Sequence, residues 1–241
     1  MDRQIYLAMA GAKATLQRQD VLAHNLANAS TAGFRAELQA LRAVPVRGDG
    51  ASTRVYALET TVGHDHRQGP VQTTGRRLDV AMQANAWLAV QSLDGTEAYT
   101  RAGALQVNAE GLVVTTAGLP VLGDGGPITL PAHAAVDVAA DGSISTKDDS
   151  GVPQQAGRLK LVEPEGPMAR GEDGLFRAAA GELPASTTAR LQPGALEGSN
   201  VSPVETMVAM ITAARQFEQQ MKVLQGAEQR EQAAARLLAP Q

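Results

Sequence analysis

Ser202-Pro203-Val204-Glu205-Thr206-Met207-Val208-Ala209-Met210-Ile211 is the stretch that decides the fold. It reads as the start of a long helix. Ser202 suits the N-cap, Pro203 has no amide to lose at the first helical position, and Glu205 completes a capping box. Beyond the start, Met207, Met210, Ile211, Ala214, Phe217, Met221, Leu224 and Ala227 recur at spacings of three and four, the helical period. Leu237 and Leu238 close the pattern and Pro240 stops it. The spacing predicts a helix of roughly 36 residues, ~54 Å long.

The other end of the chain reads the same way. From Asp2 or Arg3 to Asn28, the residues Ile5, Met9, Ala12, Leu16, Leu22 and Leu26 fall on one stripe, with Ala8, Ala23 and Ala27 beside them. Lys13, Gln17, Arg18 and Asp20 lie elsewhere on the wheel. This helix is roughly 37 Å long. Asn28-Ala29-Ser30-Thr31-Ala32-Gly33 then favours a turn or a left-handed exit.

The middle cannot be helical. Residues 45–198 hold 21 of the 24 glycines and 10 of the 12 prolines. Residues 86–91 and 97–101 flank Asp94-Gly95 as a hairpin, and further Asp-Gly turns stand at Asp124-Gly125, Asp141-Gly142 and Asp173-Gly174. Short strands between close turns predict a small sandwich or open barrel. The fold class is therefore α+β: long N- and C-terminal helices packed antiparallel, coiled-coil-like, around an inserted, mainly antiparallel β domain. The divisions are 1–43 for the N-terminal helix and its loop, 44–74 for an extended connector, 75–195 for the β-rich middle and 196–241 for the C-terminal helix. The second helix overhangs the first by about 16 Å and leaves apolar surface for another chain.

Composition narrows the function. Of 241 residues 43 are alanine and 3% aromatic, so large core-filling side chains are scarce. There is no cysteine, which excludes a disulfide scaffold or Cys-ligated metal. A net charge of −4 without a basic segment argues against nucleic acid. No apolar run approaches ~18 residues, so no membrane insertion is expected. The start, Met1-Asp2-Arg3-Gln4-Ile5-Tyr6, does not read as a cleaved secretory signal. Phosphate-loop, zinc-protease, nucleophile-elbow and dinucleotide patterns do not occur. His64-Asp65-His66 reads as a solvated loop rather than a metal site, and His24 and His133 carry no pattern. Gly123-Asp124-Gly125-Gly126 reads as a hairpin turn, lacking the alternating acids of a calcium loop. The expectation is a protein with no catalytic residues, no metal and no cofactor.

Val21-Leu22-Ala23-His24-Asn25-Leu26-Ala27-Asn28-Ala29-Ser30-Thr31-Ala32-Gly33-Phe34-Arg35 resembles the N-terminal signature of the bacterial flagellar axial proteins, the rod and hook family. His24 replaces the first asparagine of the usual pair, and Ser30 stands where asparagine is common. Leu196-Glu197-Gly198-Ser199-Asn200-Val201-Ser202-Pro203-Val204-Glu205 and Arg215-Gln216-Phe217-Glu218 resemble the matching C-terminal signature. Thr74-Gly75-Arg76-Arg77-Leu78-Asp79-Val80-Ala81 and Tyr99-Thr100-Arg101-Ala102-Gly103 are similar to the family's central β motif. Within the family the opening residues look like the proximal-rod type, with the distal-rod type as the alternative. A periplasmic β-domain binding module or enzyme is a further alternative.

The resemblance implies a structural subunit of the basal-body rod, assembled helically with other rod subunits and its own copies to carry torque. It also implies a periplasmic location, reached through the flagellar type III export apparatus without a cleaved signal. The expected assembly interface comprises Ile5, Met9, Leu16, Leu22, Asn25, Leu26, Asn28, Thr31, Gly33 and Phe34 at one end. At the other end it comprises Asn200, Val204, Met207, Met210, Ile211, Phe217, Met221 and Leu224. The amides and hydroxyls of Asn25, Asn28, Thr31 and Asn200 are expected to satisfy backbone groups where helices end.

Overall fold

Helix α1 spans Asp2–Ala27 and helix α2 spans Pro203–Leu238, both within a residue or two of the sequence reading. The computed structural model describes residues 2–45, 55–131, 135–147 and 153–238; His133 and Pro240 lie outside them. The fold is α+β, with two terminal helices and antiparallel strands between them. The chain forms two compact units. One comprises Met1–Ala29, Ala36–Asp65 and Val201–Gln241, the other Ser30–Arg35 and His66–Asn200.

In the first unit α1 and α2 pack on each other. Small side chains are what they bury: Ala8, Ala12, Ala213 and Ala227 are all under a tenth exposed. Gly11 stands where a Cβ would come 3.2 Å from the Gln220 side chain, so the helices approach closely there. The large apolar residues that share the helical period are split. Met9 is 54% exposed, Leu16 45%, Met207 47% and Ile211 55%, whereas Ile5, Leu22, Leu26, Met210, Phe217 and Leu224 are half-buried. The expected stripe of large residues is therefore only partly covered within this unit. A 3.6-residue period marks an apolar face without saying what covers it.

Ser202 caps the start of α2, the first half of the predicted capping box. Ser202 Oγ accepts from the Glu205 amide at 3.4 Å, and the Ser202 carbonyl accepts from the Thr206 amide at 3.0 Å.

Residues 44–74 are not simply an extended connector. Strand β1 (Glu37–Pro45) pairs antiparallel with strand β2 (Val55–His64), from Glu37 opposite His64 to Pro45 opposite Val55. The β-branched and aromatic residues Val55, Tyr56, Thr60, Thr61 and Val62 favour this pairing. A bulge opposite Leu38 and Gln39 leaves Val62 as the extra residue, beside Gly63 at φ 132°. Asn25 joins α1 to this hairpin. Its side-chain amide donates to the Glu37 carbonyl at 3.0 Å and accepts from the Glu37 amide at 2.9 Å, as a neighbouring strand would.

The second unit is built on β5 (Trp87–Gln91) and β6 (Glu97–Thr100), which follow the short strands β3 (Val71–Thr73) and β4 (Val80–Met82). β5 and β6 form the expected hairpin, Leu88 opposite Thr100 through Gln91 opposite Glu97, turning at Gly95 with φ 82°. They lie within a five-stranded sheet whose outer strands are Leu161–Val162 beside β5 and Phe176–Ala178 and Met168–Arg170 beyond β6. Alternation sends Leu88 and Val90 into a large core with Val80, Met82, Leu105, Val113, Ile144 and Leu159. It sends Trp87 and Ala89 into a smaller one with Tyr99, Val162, Met168 and Phe176. Both faces are covered, so the strand reads as nearly continuous apolar sequence. Gly123 pairs with Gly126 across Asp124-Gly125, the expected hairpin turn.

Replacing Ser202 by alanine removes the cap without touching either core. The expected loss is about 1 kcal/mol of stability in the helical unit. Thermal unfolding followed by far-ultraviolet circular dichroism checks it.

Candidate functional site

Three charged residues far apart in the chain meet inside the second unit. Glu197 is fully buried, and Arg35 and Arg101 are 1% and 2% exposed. Glu197 Oε1 accepts from Arg35 Nη1 at 2.6 Å and from the Gly69 amide at 3.1 Å. Glu197 Oε2 accepts from Arg101 Nε at 2.7 Å and pairs with Nη2 at the same distance. One carboxylate thus has four nitrogen atoms within 3.1 Å, three of them cationic.

Arg101 uses its whole guanidinium. Besides its two bonds to Glu197, Nη1 donates to the carbonyls of Ala84 and Ala86 at 2.9 Å, and Nη2 donates to the Met82 carbonyl at 2.8 Å. All three nitrogens are engaged, with four hydrogen bonds and an ion pair, which a lysine could not reproduce. The loop they hold contains Ala84 at φ 46°, a left-handed conformation unusual for a residue with a Cβ. The guanidinium also lies 5.7 Å from the centre of the Trp87 ring.

Local chemistry places each partner. Gly33 turns at φ 70°, and a Cβ there would overlap the Arg101 carbonyl carbon and the Ala102 nitrogen. Its amide donates to the Glu197 carbonyl at 2.8 Å, beside the side-chain cluster. Arg35 Nη1 also donates to the Arg67 carbonyl at 2.6 Å, which accepts again from the Asn200 side chain at 2.9 Å. The Asn200 amide donates to the Phe34 carbonyl at 3.3 Å. Residues 33–35, 67–69 and 197–200 are thereby sewn together.

Family models match this chain in three stretches. Residues 5–35 match a flagella basal body rod protein model, residues 81–146 a flagellar hook protein FlgE/F/G D1 domain, and residues 192–237 a flagellar basal body rod FlgEFG protein C-terminal model. The flagellar basal-body rod protein FlgF of Salmonella typhimurium is 48% identical, with 99% of each chain covered. That of Escherichia coli is 48% identical with 93% of each covered. The flagellar basal-body rod protein FlgG of Borreliella burgdorferi is 32% identical over 93% of this chain and 94% of its own. This chain belongs to the FlgF family of flagellar basal-body rod proteins. It is a structural subunit of the flagellar basal body, a component of the motility apparatus. Each of the three matched stretches of this FlgF-family chain supplies one member of the ionic centre: Arg35, Arg101 and Glu197.

The expected interface residues are buried, half-buried or exposed. Asn25, Gly33 and Phe34 are buried within the chain, so their side chains or backbone serve the subunit's own fold. Asn25 holds Glu37, and Phe34 lies 4.4 Å from the Arg170 guanidinium. Asn28 donates to the His24 carbonyl at 2.9 Å, the helix-end role expected of it, whereas Asn200 donates to the Arg67 carbonyl, which is not at a helix end. Ile5, Leu22, Leu26, Met210, Phe217 and Leu224 are half-buried, and Thr31 is exposed. Met9, Leu16, Val204, Met207, Ile211 and Met221 are exposed. On α2, Val204, Met207, Val208 and Ile211 are 70%, 47%, 58% and 55% exposed and form one continuous apolar ridge. The sequence reading missed Arg35, Arg101 and Glu197 as a set. Each stands in a quoted signature, but nothing local announces that they converge.

Two other polar clusters stiffen the second unit. Asp173 bridges Arg177 at 2.7 Å and accepts from Ser92 at 3.0 Å, which joins two hairpin turns. The Arg177 hydrogen bond holds the Asp173 carboxyl down to about 2. Tyr99 donates to Glu97 and accepts from the Leu183 amide, and burial pushes its phenol above the usual range. Among the described residues no cluster of three His, Cys, Asp or Glu could hold a metal, and no helix is long and apolar enough to cross a membrane.

Two predictions follow from these clusters. Arg101→Lys keeps the charge but strips the loop carbonyls of their donors, at an expected loss of roughly 2–3 kcal/mol. Urea unfolding read by fluorescence of Trp87, the single tryptophan, measures it. Asp173 ionises more readily folded than unfolded, so its contribution is present above pH ~4 and is lost as pH falls toward 2. The partial exposure of the pair limits it to below about 2 kcal/mol. Asp173→Asn is expected to flatten the stability profile across that window.

Proposed function

We propose that this subunit builds the proximal part of the rod through its helical unit, with the α2 ridge as the contact face. The observation that carries this is the exposed ridge of Val204, Met207, Val208 and Ile211. Four large apolar side chains on one helix face expose a contiguous patch, the mark of an interaction surface. Ala8, Ala12, Ala213 and Ala227 sit inside instead, which lets α1 and α2 lie close and leaves bulky residues turned toward neighbours. The two helices pack antiparallel and coiled-coil-like, and α2, with 36 residues against 26 in α1, runs past it. Met9 and Leu16 extend the contact surface along α1.

The 48% identity to the FlgF proteins of Salmonella typhimurium and Escherichia coli, against 32% to the FlgG of Borreliella burgdorferi, supports the proximal rather than the distal rod. In this reading the helical parts 1–43 and 196–241 carry the assembly and 75–195 is the β-rich middle, while 44–74 contributes strand β2 of the β1–β2 hairpin to the helical unit before leading into the middle. The partners are other rod subunits and further copies of the chain. The subunit reaches the periplasm through the flagellar type III export apparatus without a cleaved signal, and its role is mechanical rather than enzymatic. Dense lateral packing of helices carries torque without any reacting group.

Ile211→Asp and Met207→Asp place charge on the ridge while leaving the second unit intact. A strain carrying either variant as its only copy is expected to lose swimming and to lack complete rods by electron microscopy. The purified variants are expected to keep wild-type Trp87 fluorescence. Wild-type swimming in both would overturn the assignment of this face.

A further inference from the structure

Chain order gives the ionic centre a property that its geometry alone does not. Arg35 and Arg101 precede almost all of the second unit's core strands or lie among them, whereas Glu197 arrives on the return strand Ala195–Glu197, after every other strand. Until it arrives, the Arg101 guanidinium would be enclosed without the carboxylate it pairs with, and the Gly69 amide without its acceptor. The return strand also brings the partner of β3 and the carbonyl that Gly33 needs. A buried pair that loses one member is strongly destabilised, on a scale comparable with a large part of a domain's net stability.

We propose that Glu197 is a closing latch for the second unit. The unit reaches its folded state only when the return strand delivers this carboxylate between Arg35 and Arg101. A chain whose residues 195–200 are held elsewhere keeps the whole unit open, including the five-stranded sheet that Glu197 does not itself belong to. The link runs through Arg101. Its Nη groups hold the carbonyls of Met82, Ala84 and Ala86, the segment that leads from β4 into β5, and the guanidinium lies against Trp87 in that sheet. Folding is thus made contingent on the last segment of the unit to emerge, whatever conduit the chain emerges from. This inference does not depend on the ridge of α2 or on the position of the subunit in the rod.

Hydrogen exchange on the full-length protein tests it, read at the amides of β5 and β6 and at Gly33 and Gly69. Glu197→Gln keeps the shape and removes the charge. Gly69→Ala keeps every charge, but its Cβ would overlap the Gly198 carbonyl oxygen and force the return strand away. Both variants are expected to lower protection in β5 and β6 by ~100-fold or more, matching the loss at Gly33 and Gly69, with a parallel change in Trp87 fluorescence. A variant that does not fold at all shows the same loss in full. If either variant loosens only residues 30–35, 69 and 195–200 while β5 and β6 keep wild-type protection, Glu197 is a local clasp and the latch is overturned. Swimming assays do not enter this test, so it stands or falls apart from the assembly reading.

Discussion

The carboxylate of Glu197 is the constraint on which the second unit depends. A buried carboxylate is tolerated only when its lone pairs are filled, and here four donors fill them from three separate stretches of chain. One of those donors is the Arg101 guanidinium, which is itself almost wholly buried and pairs with Glu197. Such a cluster is a poor source of net stability compared with apolar packing, because desolvation consumes most of the attraction. Its value is specificity. A misplaced return strand would leave charges stranded, whereas a misplaced leucine would cost far less. The same carboxylate therefore selects one arrangement of the signature loop, the central hairpin and the return strand.

The first unit follows a different rule. Its helices bury alanines and expose methionine, valine and isoleucine. For a monomer this inverts the usual preference, since large apolar side chains gain most from burial. For a subunit that meets neighbours on its helical face it is a consistent arrangement. Small residues set a short distance within the subunit, and large ones remain for contacts between subunits. The alanine-rich, aromatic-poor composition that looks like a shortage of core is distributed accordingly.

What the sequence made legible was local. The cap at Ser202, the span of both helices and the hairpin across Asp94-Gly95 each rest on residues within a few positions of one another. The hairpin of β1 and β2 was not legible, because nine residues separate its strands, so Asp49-Gly50 does not stand at the two-residue spacing that marks a tight hairpin, and only the long pairing register reveals them. The outward-facing ridge was half legible: periodicity located the face, but no pattern distinguishes a covered face from an open one. The ionic centre was illegible for a stronger reason. Gly69 lies 128 positions from Glu197 and Arg101 lies 96, and each charged residue alone resembles a solvated one. The three signatures that pointed to the family already contained Arg35, Arg101 and Glu197, so the family resemblance and the physical centre coincide in the same residues.

The most direct test of the account is a double-mutant cycle on the two arginines. Arg35→Met and Arg101→Met are made singly and together in the full chain, and unfolding free energies are taken from urea titrations read at Trp87. If one shared carboxylate organises both, the two losses are strongly non-additive, with a coupling above about 1 kcal/mol. Losses that add to within ~0.5 kcal/mol would mean that the arginines act independently, and that Glu197 does not bind the three stretches into one unit.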